Sequence, residues 1–215
     1  MKGLIVKETC SIYSCCKLFL VIPIVFYGAL MAGTLWKGQD IAGFPVGMIF
    51  MMMGTIPASV VNQEVQSKWH LGVLTMPYTR TQIVSAKYII TLIITVLTLV
   101  VTAGVMVMCL AFGRGISASG LMDIVKVLFG GIGMGLMPTI VMMPTNFKFY
   151  GTVGGIRVAI SILLGGFIGG TNMMMMEMIQ KDKLFGSGFI FMCLSVVLFF
   201  ISWGVSILLF RKKDA

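Results

Sequence analysis

This chain carries one histidine and seven Asp or Glu residues, a sparse set for acid–base work. His70 lies between Trp69 and Leu71 with no second ligand type beside it. A lone imidazole in that setting reads as an interfacial or partner-facing side chain, not as a base or a ligand. No glycine-rich loop followed by Lys-Ser/Thr occurs, so ATP hydrolysis by that route is not expected of this chain. No nucleophile, base and orienting group can be assembled from its residues. We therefore expect no catalytic residue, no metal site and no bound cofactor. The five cysteines, Cys10, Cys15, Cys16, Cys109 and Cys193, form no C-x-x-C pair. They read as small apolar fillers in a reducing compartment, although Cys15 and Cys16 would also suit acylation at a membrane edge. The 20 methionines include Met51–Met53 and Met173–Met176. Flexible thioethers fill irregular apolar space, and part of the set could line a path for amphipathic cargo.

With catalysis set aside, the elements themselves carry the reading. The chain is 58% hydrophobic and 11% charged, with a mean hydropathy of +1.03. A soluble domain would carry about 25% charged residues, so this sequence belongs in a bilayer. It contains no long polar region that could form an attached ATP-binding domain. The net charge of +9 does not call for nucleic acid, because the basic residues gather beside the apolar runs. The N-terminus lacks the cleavage site of a secretory signal.

Residues 1–16 read as an amphipathic helix on the inner membrane surface. Leu4, Ile5, Ile12, Cys16 and Phe19 fall near one face, and Lys2, Lys7 and Lys17 suit anionic headgroups. Six spans follow, at about 18–35, 44–61, 83–112, 124–143, 156–176 and 188–210. The third is longer than a hydrocarbon core requires, so its first turns should stand in the interface. The fourth carries Gly130, Gly131, Gly133 and Gly135, which permit close backbone approach, and a loop is expected from Pro144 to Gly155. The fifth carries two overlapping small-xxx-small pairs, Gly165 with Gly169 and Gly166 with Gly170. These suit either intramolecular packing or a subunit interface. With both termini inside, only Lys37, Arg114, Lys126, Lys181 and Lys183 of the 16 lysines and arginines fall outside. That bias places both termini in the cytoplasm.

The polar segment 62–82, between the second and third spans, is the most informative. A helix here would align Val61, Val65, Trp69 and Val73 on one stripe, with Gln63, Glu64, Ser67 and Lys68 facing water or a partner. Pro77 would end it. Thr79 and Gln82 then have capping-box spacing, so a new helix should start there.

The order Glu64, Lys68-Trp69, Thr75-Met76-Pro77, Thr79-Arg80, Ile83-Val84 and Ala86-Lys87-Tyr88 resembles the cytoplasmic coupling segment of ABC type-2 exporter permeases. The usual family text differs by Leu at Met76 and Ser at Thr79. The opening Met1–Glu8 is also similar to the family's amphipathic N-terminus. The resemblance implies an all-α membrane protein, a single permease domain over 1–215, with a cytoplasmic coupling helix between spans 2 and 3. It further implies a multi-pass protein of the bacterial cell membrane, paired as a homodimer with two separate ABC ATPase subunits that bind the ATP and magnesium. Glu64, Lys68, Trp69, His70 and Arg80 would then dock the ATPase, unless the segment simply lies on the lipid surface. In that family the first and fifth spans meet their symmetry mates, which points to Gly165, Gly166, Gly169 and Gly170 as a dimer interface. Among such permeases the chain is similar to the small ones that export amphipathic peptides, such as the phenol-soluble modulins of staphylococci.

Two other classes remain. A membrane immunity or scaffold protein would need no docking segment. A secondary transporter or channel usually keeps ionisable groups at the midplane, and the spans offer no convincing buried ion pair.

Overall fold

The computed structural model describes residues 2–15, 21, 25, 27–28, 43–67, 79–113, 118–148, 163–171, 174 and 186–211. All of the regular structure among them is helical. We label α1 (Lys2–Cys15), α2 (Gly43–Gln66), α3 (Arg80–Gly113), α4 (Ala118–Lys148) and α5 (Gly186–Arg211); residues 163–171 form a further helical stretch. Among the described residues, four segments are long and apolar enough to cross a membrane: Val46–Glu64, Arg80–Met108, Ile124–Lys148 and Gly188–Phe210. They overlap the expected second, third, fourth and sixth spans. Most of the first expected span and much of the fifth lie outside the described residues.

α4 is the central helix, packed most extensively against α5 and α2. Its glycines explain why. A Cβ on Gly54 of α2 would fall on the backbone carbonyl of Gly135, so the two helices touch backbone to backbone there. Gly131 and Gly135 leave room for the Phe50 ring, and Gly133 does the same for Phe191 of α5. These aromatics then anchor a core of Val46, Phe50, Met106, Ile124, Val127, Met134 and Phe191. Toward the other end, Val61, Tyr88, Met143, Phe147, Phe199 and Phe210 form a second core.

α4 also runs further than its prolines suggested. The helix passes through Pro138 and Pro144 and ends at Lys148, where a loop from Pro144 was expected. Proline at 144 removes the N–H that would have met the carbonyl of Ile140. Ser202 Oγ of α5 donates to that carbonyl instead, at 2.9 Å. A neighbouring helix thus satisfies the group that the proline leaves free, as a membrane interior requires.

α3 has 34 residues, about 50 Å of helix, against a hydrocarbon core of about 30 Å. It starts where the sequence placed a cap: Thr79 N donates to Gln82 Oε1 at 3.1 Å, and Gln82 N donates to Thr79 Oγ1 at 3.4 Å. One side of the helix carries exposed Ile93, Leu97 and Val100, suited to lipid. The opposite side carries Thr91, Thr95, Thr98 and Thr102, all buried. Each hydroxyl donates to the carbonyl four residues earlier, at 2.6–3.0 Å. With its own proton committed, Thr102 Oγ1 accepts from the hydroxyl of Tyr27.

α1 differs from expectation. Leu4 and Ile12 are buried against the chain itself, Ile12 among Ile56, Val60 and Ile90. These two side chains of the expected lipid-facing side therefore pack on the protein, Ile12 against α2 and α3, whereas Val6 and Tyr13 are exposed.

Gly54→Ala should force α2 and α4 apart and cost at least about 1–3 kcal/mol, as overpacking of a tight core does. Gly104→Ala meets nothing within 4 Å and should be neutral, or stabilising by up to about 1 kcal/mol. Thermal unfolding of the two variants in detergent checks this, and equal midpoints would contradict the close approach.

Candidate functional site

Three helices meet at a cluster of charges: Lys7 and Glu8 from α1, Glu64 from the last turn of α2, and Lys87 from the second turn of α3. α2 reaches Glu64 because the helix continues past Val61 to Gln66, with Ser67 N closing a last bond to Gln63 O at 2.9 Å. Glu64 is 6% exposed, Glu8 4% and Lys87 2%. Lys87 Nζ lies 2.7 Å from Glu64 Oε2 and 3.0 Å from Glu8 Oε1. Lys7 Nζ pairs with Glu64 Oε1, and at 3.1 Å with Glu8 Oε1. Each lysine thus bridges both carboxylates, and each carboxylate joins α1 to a different helix.

The periodicity of α3 aims Lys87 inward. Lys87 shares a face with Val84, Thr91 and Thr95, all buried, so the polar face of α3 leads directly into the cluster. Burial acts to lower the pKa of Lys7, but hydrogen bonding and attraction to Glu64 and then to Glu8 outweigh it, and the ammonium is held above its ordinary value of 10.5. A raised lysine stabilises the fold fully below that value and loses the contribution only as pH climbs through the higher folded pKa.

Glu64, expected to face water or a partner, is instead enclosed by two lysines. The expectation of no buried ion pair concerned the spans themselves and did not foresee this cluster at the helix ends, because Lys7-Glu8, Glu64 and Lys87 come from three separate stretches of sequence that only the fold brings together. The visible hint was a carboxylate beside Lys7 at the helical spacing of Leu4, Glu8 and Ile12. Arg80 turns to α5, where Nη1 donates to Phe210 O at 3.3 Å and the guanidinium lies 5.7 Å from the Phe210 ring. It therefore caps the carbonyl end of that helix. Lys68, Trp69 and His70 lie outside the described residues.

The two glycine pairs separate. A Cβ on Gly165 or Gly169 would touch Met142 or Met51 of the same chain at 3.6 Å, whereas one on Gly166 or Gly170 would meet nothing within 4 Å. Of the Met173–Met176 run, Met174 is described, and it is exposed.

A second polar centre, which the sequence reading missed, joins α3 to α5. Tyr88 OH lies 2.9 Å from Ser202 Oγ and 2.7 Å from Ser206 Oγ, its ring stacks on Trp203, and Trp203 Nε1 donates to Ser85 Oγ at 3.2 Å.

The described residues thus form a multi-helical domain with four candidate membrane spans and a buried charge cluster where α1, α2 and α3 meet. The chain belongs to the ABC-2 transporter family: the family model described as "ABC-2 family transporter protein" matches residues 3–211. The matched region is a membrane permease domain of that family, which works with an ATPase subunit. No curated protein and no solved structure matches the chain.

Lys87→Ala leaves two buried carboxylates short of a partner and should cost about 3–5 kcal/mol, the usual loss when one member of a buried ion pair is removed. Thermal unfolding in detergent reads it, and a change under about 1 kcal/mol would contradict the cluster. The stability difference between the natural chain and Lys7→Gln should be constant around neutrality and should fall away only above the ordinary lysine value of 10.5.

Proposed function

We propose that the chain is the transmembrane subunit of an ATP-driven exporter that moves hydrophobic or amphipathic peptides out across the cell membrane. Two copies would stand over two ATPase subunits, with both termini and segment 62–82 on the ATPase side. The observation that carries this reading is the Glu64–Lys87 ion pair, at 2.7 Å. It closes the base of segment 62–82 by tying the end of α2 to the start of α3. A push delivered to the segment then reaches two membrane helices together instead of being absorbed by a loose loop.

Lys68, Trp69 and His70 are the docking side chains in this scheme, and Glu64 and Arg80 serve by fixing the two ends of the segment. Gly166 and Gly170, facing open space, suit contact with a second copy, whereas Gly165 and Gly169 suit packing within the chain. A peptide cargo rests on the analogy with the small ABC type-2 permeases that export amphipathic peptides, and on the abundance of methionine. The buried charges do not argue for a proton- or sodium-coupled carrier, because they sit at helix ends and are paired with one another.

Tagged chain drawn from native membranes in mild detergent should bring down an ATP-hydrolysing subunit. Trp69→Ala should weaken that association by about 2 kcal/mol, roughly 30-fold, as for an aromatic anchor at an interface. Recovery of the natural chain with no nucleotide-binding subunit would sink the exporter reading in favour of an immunity or scaffold protein.

A further inference from the structure

The geometry points to α1 as a moving part of the transport stroke: Lys7, Glu8, Glu64 and Lys87 form a closed joint that makes α1 travel as one body with the two helix ends flanking segment 62–82. This rests on the exporter reading and adds a role for the N-terminal helix, which was expected to lie on the inner membrane surface.

Three observations carry it. Each lysine contacts a carboxylate on α1 and one on α2, so opening the joint would break several charge-assisted bonds at once. Glu8, Glu64 and Lys87 are nearly inaccessible, so separating them without solvent would leave unpaired charges in a poorly polar environment, at a cost well above that of sliding packed side chains. Finally, Leu4 and Ile12 flank Glu8 on the same helical face and are buried with it, Ile12 against Ile56 and Val60 of α2 and Ile90 of α3. Apolar contacts thus hold the joint on both sides of the charges. A helix that merely floated on headgroups would turn this face to lipid. Lys7 and Glu8 are positioning residues here: they act through Glu64 and Lys87 on the segment that meets the ATPase.

The test replaces the charges by a covalent tie. In a chain whose five native cysteines are alanine, Lys7→Cys/Glu64→Cys is bridged with a short thiol-to-thiol reagent. The chain with its co-purified ATPase subunit is placed in phosphatidylcholine/phosphatidylglycerol vesicles, and vanadate-sensitive ATP hydrolysis is measured. Before bridging, turnover should fall several-fold; after bridging, it should return close to that of the cysteine-free chain. Recovery on bridging is a result that general destabilisation would not produce. Turnover that stops on bridging would show that the joint must open, and unchanged turnover before bridging would show that it is not needed; either overturns the inference. Lys7→Gln provides a second, milder variant should the double variant fail to assemble. Retained ATPase with several-fold lower turnover supports the joint, and full turnover overturns it. Absence of any ATPase from the cysteine-free chain and from the natural chain alike would instead defeat the exporter reading itself.

Discussion

A bilayer interior offers no water to a stray donor, acceptor or charge, and each polar group placed there must find its partner within the protein. Much of this structure follows from that constraint. The threonines of α3 return their hydroxyl protons to their own helix. The carbonyl left free by Pro144 takes a proton from Ser202. The two lysines and two carboxylates at the helix ends pair with one another instead of with solvent. None of these arrangements is a large source of net stability. What they do is forbid alternatives, because any register that unpairs them is expensive.

Packing works by different means, since lipid is as apolar as leucine and gives helices no hydrophobic reason to associate. The close approach of Gly54 to Gly135, and the fit of Phe50 and Phe191 over Gly131 and Gly133, let dispersion contacts hold the helices together. α2 and α4 are accordingly the enclosed pair, with 56% of each candidate span buried. α3 and α5, at 33% and 28%, flank them and face lipid. The same division makes α3 two-sided, with exposed aliphatic side chains on one face and threonines on the other.

The charged cluster is where packing and function meet. It lies at the point where α1 rests against the base of the segment between α2 and α3. In the exporter proposed above, force from the ATPase would cross from a polar surface into apolar helices. A lattice of short ionic contacts would transmit such a force with little slack, because stretching it would cost more than moving the bodies it joins.

The class of protein was legible in the sequence. Apolar runs near 20 residues, basic residues beside them and the text from Glu64 to Tyr88 pointed to a permease, and the Thr79–Gln82 cap was placed at its observed position. Such features are local: hydropathy, a proline or a capping box acts within a few residues and needs no knowledge of neighbours. The direction in which a polar side chain points was decided by the tertiary structure. Glu64 read as a surface group, and α1 read as a lipid-facing helix, because hydropathy cannot tell lipid from protein as the partner of an apolar face. A buried ion pair is likewise invisible until the chain folds. Lys7 and Glu64 stand 57 residues apart, and Glu8 and Lys87 stand 79 apart. Only the fold supplies the opposite charge that makes burying each of them tolerable.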